Sequence, residues 1–196
     1  AWLDRRGYPI EPGMKSLVAH TRVVWMFSAA YQQYPQPVYQ EVASHALKFL
    51  RERMWDSHRG GFYWLVDREG RLVEDKKQIY GQSFAMLGLA EYARAFNDPI
   101  TRQEALDLFH LVDDRAHDDV NGGYHQAYSS DWEKPLNDDR TFGIPGGKHQ
   151  NPHINLLGAF ATLYKVTRDP EVRMRLKELL DISINKLVDD RKGYAY

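Results

Sequence analysis

There is no cysteine anywhere in the 196 residues, so no disulfide can brace the fold and no thiolate can act as nucleophile or ligand. That absence fits a cytoplasmic location. No apolar run approaches the ~20 residues that cross a bilayer, and the chain does not open on a basic, then apolar, then small-residue pattern. No membrane partner is expected. Charge of one sign is lacking too. The net charge is −1 and no basic cluster is interleaved with aromatics, which argues against a nucleic-acid partner. Neither a Gly-x-Gly-x-x-Gly run nor a P-loop occurs, and His117 and His125 have no third donor at metal-ligand spacing. No cofactor and no metal are expected.

What remains is the composition of an ordinary globular domain, 43% hydrophobic and 27% charged, and long enough for one sizeable core. Aromatics reach 13%, with 12 Tyr and 5 Trp. Such side chains serve as stacking platforms where sugars bind, and a large aromatic core accounts for them equally well.

Stretch 148–164 begins polar, with two amides and two imidazoles, and continues as an apolar run containing small residues. It reads as a helix with a polar mouth and a buried body. Two earlier stretches share the layout. Lys15, Lys76 and Lys148 each precede a tyrosine (Tyr31, Tyr92, Tyr164) by the same spacing. Pro37, Pro99 and Pro170 follow, then Gly60-Gly61 and Gly122-Gly123 at identical offsets from their prolines, and Gly193 at nearly the same offset. Ordered self-similarity of this kind marks a repeat architecture.

Each unit pairs an all-round apolar helix (17–34, 79–96, 153–167) with a proline-initiated amphipathic one (38–54, 100–115, 171–188). Apolarity all round predicts an inner layer buried on both sides, with Gly88 and Gly158 admitting close neighbours. The striped helices form an outer layer. Glycine turns and short aromatic strands such as 62–66 link the units. The fold class is all-α. Its architecture is an α/α toroid or a solenoid, with three helical hairpins joined by short β-hairpin loops. One domain over 1–196 is expected, with repeats at about 1–59, 60–121 and 122–192. Trp2 to Gly7 resembles Trp64 to Gly70, and the chain stops as a fourth glycine–aromatic loop begins. A segment of a longer barrel is the expectation.

Arg22 to Phe27, Asp75 to Ala85, Asn121 to His125 with Asp131-Trp132, and the stretch 148–164 together resemble the N-acylglucosamine 2-epimerase family, nearest its cellobiose 2-epimerase and mannose isomerase branch. The resemblance spans essentially the whole chain. It implies an (α/α)6 barrel of which this chain is the N-terminal half. It also implies sugar 2-epimerase or aldose–ketose isomerase chemistry through a cis-enediolate, run by two histidines that belong to the family's second half. Catalytic residues are therefore unknown here, and the chain alone is expected to be inactive. The implied partners are a small mono- or disaccharide and either the remainder of the barrel or a second copy.

By the same resemblance the substrate-binding residues are Arg22, Tyr80, Asn151, His153 and Asn155. Arg22 offers a fixed cation and donor fork. Tyr80 is either a site hydroxyl or a core aromatic. Asn151 suits sugar hydroxyls and also an N-cap. His153 has a family counterpart but is a lone helix histidine. Asn155 stands where the family has histidine, which removes a titratable group and leaves an amide. In the lysine-based alignment, Arg22, Ser83 and Asn155 share one position. The Asp pairs at 113–114, 118–119, 138–139 and 189–190 are adjacent in sequence, so they read as solvated turn residues and not as a glycosidase pair. The loop 128–147 reads as a lid, with Trp132 either stacking on sugar or anchoring it. A non-catalytic carbohydrate-binding or assembly half-toroid is the alternative function. A glycosidase or lyase on the same toroid would need inward carboxylates, which the inner helices lack.

Overall fold

The computed structural model describes residues 2–10, 13–133, 135–136, 148–189 and 194–195. Most of the expected lid, the Asp pair 138–139 and Gly193 lie outside them. Six helices form three hairpins: α1 (Leu17–Gln33) with α2 (Pro37–Phe49), α3 (Ile79–Phe96) with α4 (Pro99–Ala116), and α5 (Gln150–Thr167) with α6 (Pro170–Lys186). Each outer helix starts at its proline, whose missing N–H costs nothing at a first turn. Asp98 and Asp169 cap α4 and α6 by accepting two backbone N–H groups each. Asn97 and Arg168, in left-handed conformation, end α3 and α5. Helix α2 finishes in a π-helical turn, Leu50–Met54.

Helix α3 packs between α1 and α5, and α2, α4 and α6 lie outside them. The expected burial of the inner layer holds in full only for α3. Its faces meet a helix on either side and α4 behind, so thirteen of its residues are buried. Helices α1 and α5 have α3 on one side alone, and Trp25, Met26 and Ile154 are exposed. Gly88 does admit a close neighbour: a Cβ there would lie 3.1 Å from the Thr21 carbonyl oxygen. Gly158 does not, since nothing stands within 4 Å of its Cβ position.

Among the described residues, nine two- or three-residue strands line the loops. Strands β1 (Trp2–Leu3) and β2 (Pro9–Ile10) make one hairpin, and β8 (Val188–Asp189) and β9 (Tyr194–Ala195) another. Strand β4 (Leu65–Val66) pairs with β3 (Lys15–Ser16) and β5 (Leu72–Glu74), and β6 (Lys77–Gln78) pairs with β7 (Ala127–Tyr128). The predicted strand 62–66 is thus only partly strand, with Phe62 bridging to Trp55 instead. The turns Asp4–Gly7 and Asp67–Gly70 close alike, each glycine N–H reaching the aspartate carbonyl at φ near +85°.

The strands correct the repeat's register. Lys15 pairs with Val66 and Lys77 with Tyr128, so the true lysine row is Lys15, Lys77, Lys148. Its spacing matches that of the prolines. Lys76 instead pairs with Glu74. Lys77 is wholly buried and donates to Asp56 at 2.8 Å. Asp56 also accepts the N–H groups of His58 and Arg59, which shapes the Gly60-Gly61 turn. Burial drives the Lys77 amine below its ordinary range. Burial pushes Asp56 up, but Lys77 and the two N–H groups outweigh it and hold its carboxyl low. Lys148 repeats the pin on Asp118 at 2.7 Å, and Asp118 accepts the N–H groups of Val120 and Asn121.

Removing Asp56 leaves a buried ammonium unpaired and a turn uncapped. Asp56→Ala should therefore lower unfolding stability by about 3 kcal/mol in urea melts. Asp67→Ala, at a surface turn and ion pair, should leave the urea midpoint nearly unchanged.

Candidate functional site

Counting from the helix starts shows which side chains share a face. The N-caps of the inner helices are Ser16, Gln78 and His149. Two residues in stand Val18, Tyr80 and Asn151, and six in stand Arg22, Phe84 and Asn155. Residues four apart lie on one helix face. The expected row Arg22–Ser83–Asn155 is corrected accordingly. Ser83 is buried with its hydroxyl donating to the Tyr80 carbonyl at 2.7 Å, and Phe84 takes its place. Sequence reasoning missed Phe84 because it counted from Lys76 and not from Lys77.

Two groups assemble along this face. Across α1 and α3, the Arg22 guanidinium lies 4.6 Å from the Phe84 ring centre, and its Nη2 is 3.5 Å from the Tyr80 hydroxyl. The Tyr80 and Phe84 rings meet edge to face at 5.1 Å. A cation over an aromatic face is held there by the ring's negative face while its N–H groups remain available as donors. On α5, the Asn155 amide nitrogen donates to the Asn151 backbone carbonyl at 2.8 Å and to its side-chain oxygen at 2.9 Å. That leaves the Asn155 oxygen as acceptor and the Asn151 NH2 as donor. Arg22 is exposed and the other polar members are half-buried. Among the described residues at these positions the face offers a cationic fork, a phenol and two amides, and neither a histidine nor a carboxylate.

His153 stands four residues in from its N-cap, on a different face. It is 4% exposed. Its Nδ1–H donates to the His149 carbonyl at 2.8 Å, and its Nε2 accepts the Tyr124 N–H at 3.0 Å. Both ring nitrogens are used, so the expected binding role does not fit its position. Gln82 holds the equivalent place in the second unit, bonding both the N–H and the carbonyl of Phe62. His20 holds it in the first unit, where it stacks on Phe49.

Other expected candidates resolve as structural. Trp132 is buried; its indole donates to the Gly60 carbonyl at 3.1 Å and its ring leaves Gly61 no room for a Cβ. It anchors its loop. Asp113 and Asp118 are not solvated turn residues. Asp113 binds Arg175 and the Tyr124 hydroxyl, and Lys148, then Asn121, hold the Asp118 carboxyl well below the usual carboxylate range. Among the described residues no group of three His, Asp or Glu could hold a metal.

The fold is thus an α/α hairpin array whose inner helices carry an arginine, a tyrosine and two amides on one face. The comparison with known proteins makes this specific. Residues 1–195 match the N-acylglucosamine 2-epimerase family model, and the chain belongs to that family. It is 30% identical over 184 residues to the cellobiose 2-epimerase of Bacteroides fragilis, covering 89% of this chain and 45% of that one. The solved cellobiose 2-epimerase of Spirochaeta thermophila superposes with a TM-score of 0.87 at 34% identity, over 92% of this chain and 45% of that one. The D-mannose isomerase of Thermobifida fusca is 22% identical over 170 residues, covering 86% of this chain and 39% of that one. The chain spans about half the length of the curated relatives it matches.

Burial lowers the pKa of His153 from its ordinary value near 6.5, against the raising effect of its bond to His149. The native state then binds fewer protons than the unfolded chain just below that value. Stability is full above about pH 6.5 and falls as pH drops toward the native pKa. His153→Gln should keep the Tyr124 bond, as Gln82 does for Phe62. It should flatten the acid-side loss in pH-dependent denaturant melts without abolishing it, because His20 and His125 are also lowered by burial.

Proposed function

We propose that this chain forms the sugar-positioning wall of a carbohydrate 2-epimerase or aldose–ketose isomerase that works through a cis-enediolate. The observation that carries the reading is the Arg22 fork, held over Phe84 beside Tyr80, on the inner face of a family member. In such a reaction the ring-opened sugar loses its C2 proton and negative charge gathers on the C1 and C2 oxygens. Arg22 supplies a preorganised cation for that charge, which counts for most where little water competes. Tyr80, Asn151 and Asn155 supply donors and acceptors for the remaining hydroxyls. The proton transfers need a base and an acid of near-neutral pKa, and this face has neither. Those groups belong to the remainder of the barrel, which completes the site. Cellobiose and mannose, named for the relatives, are the sugars to test.

A non-catalytic carbohydrate-binding module is the second reading, favoured by the same lack of a base. Calorimetric titration with cellobiose and mannose, together with C2 proton exchange in deuterated water, separates the cases. The chain alone should bind a sugar without exchanging its C2 proton. Arg22→Ala should weaken binding about tenfold or more, the worth of one charged hydrogen bond. The same chain joined to a partner supplying the missing acid–base pair should then exchange. Binding unaffected by Arg22→Ala overturns the positioning role, and binding without exchange in the completed protein favours the module.

A further inference from the structure

The outer layer contains a second candidate site, far in character from the inner face. A cavity of about 310 Å³ lies between α2 with its π-helical turn and α4, lined by Arg51, Trp55, Phe62, Leu89, Glu104 and Asp107. The repeat shows what usually fills this place. The proline spacing carries Arg51, Trp55 and Phe62 onto Asp113, His117 and Tyr124, and the bridges Trp55–Phe62 and His117–Tyr124 confirm the match. It carries Leu89, Glu104 and Asp107 onto Phe160, Arg175 and Glu178.

Between α4 and α6 those six positions are knitted shut. The Tyr124 hydroxyl donates to Asp113 at 2.6 Å, and its ring packs against Phe160 at 5.8 Å. Arg175 bridges Asp113 and Glu178, and His117 bonds Glu178 at 2.8 Å. Between α2 and α4 the same positions leave a gap, for identifiable reasons. Phe62 lacks the hydroxyl of Tyr124, and Leu89 is smaller than Phe160. Helix α4 closes with His117 N–H on the Asp113 carbonyl, four residues back. Helix α2 closes with Trp55 N–H on the Leu50 carbonyl, five back. That wider turn coincides with a Trp55 that is 37% exposed at the cavity rim, whereas the His117 side chain is 5% exposed. π-Helical turns recur at functional sites.

The lining is a wall of Trp55, Phe62 and Leu89 with few polar groups. Arg51 and Glu104 neutralise each other at 2.7 Å. Asp107 stands exposed at the rim; among the described residues it has no cationic partner and accepts a single hydrogen bond, from Gln103. A site with an apolar wall, an indole and one uncompensated carboxylate recognises a cation with an apolar body. A sugar would need more donors than Arg51 has left. The volume, at the small end of ligand pockets, fits a small molecule and not a protein surface.

We infer that the cavity between α2 and α4 binds a small amphiphilic cation, an aromatic or alkyl ammonium, with its body on Trp55 and Phe62 and its charge toward Asp107. The cavity lies between the first and second of the three hairpins and stands independently of the inner-face reading.

The test is NMR titration of the chain with phenethylammonium, its neutral isostere 2-phenylethanol, its anionic counterpart phenylacetate, and cellobiose, following the Trp55 indole N–H. Phenethylammonium should bind with a dissociation constant on the order of 1 mM, reasonable for about nine non-hydrogen atoms. Phenylacetate should bind at least about tenfold more weakly. Asp107→Asn should weaken the cation several-fold and leave 2-phenylethanol unchanged. Leu89→Phe, which copies the filled interface, should block both, and Phe62→Tyr should do so partly if Leu89→Phe does not fold. Equal affinity for cation, alcohol and anion overturns the assignment, as does a preference for cellobiose at Trp55. Absence of any binding, with a raised melting temperature for Leu89→Phe, shows a packing gap and overturns it too.

Discussion

A buried lysine pinned to a loop aspartate sets the geometry on which everything else in this chain depends. Lys77 stands at the start of α3 and Asp56 in the return loop of the preceding hairpin. The pair costs desolvation, which Asp56 offsets by gathering two backbone N–H groups as well as the ammonium. The pin at Lys148 and Asp118 is more exposed but ties α5 to its preceding loop in the same way. A second tie runs a turn further along, from Gln82 to Phe62 and from His153 to Tyr124. Two fixed points apiece set both the height and the rotation of α3 and α5.

That setting is what gives the inner face its chemistry. With starts in register, positions two and six residues in from each cap fall at matching heights on neighbouring helices. Arg22, Tyr80, Phe84, Asn151 and Asn155 owe their common face to this. Position four is spent on holding the loops, which is why the one histidine shared with the expected binding set is occupied by backbone partners. The division is economical in a repeat: one face of a helix fixes the fold and another carries the row of arginine, tyrosine and amides.

The same scaffold tolerates opposite contents at equivalent places. Between α4 and α6 a tyrosine hydroxyl, two carboxylates, a histidine and an arginine satisfy one another. Between α2 and α4 Phe62 and Leu89 are smaller than their counterparts and Trp55 is exposed, and space is left. Repeats constrain backbone spacing far more tightly than they constrain which side chains fill the gaps between helices.

Much of this was legible in the sequence. Prolines at fixed spacing, glycine pairs and alternating apolar and striped segments gave three hairpins with their layers, because helix periodicity and helix-start chemistry are local. Arg22, Tyr80 and the asparagines stood out by residue type and family pattern. What the sequence left undecided was anything that turns on a single residue of register. Lys76 and Lys77 are both candidates for the repeat lysine, and only the pairing of Lys77 with Tyr128 and Asp56 selects one. That choice moves Ser83 off the site face and puts Phe84 on it, because one residue is 100° around a helix. Nor could the sequence say that α1 and α5 keep exposed apolar faces while α3 does not, since burial is a property of neighbours. Composition and periodicity determined the hairpins; long-range pairing decided which atoms meet.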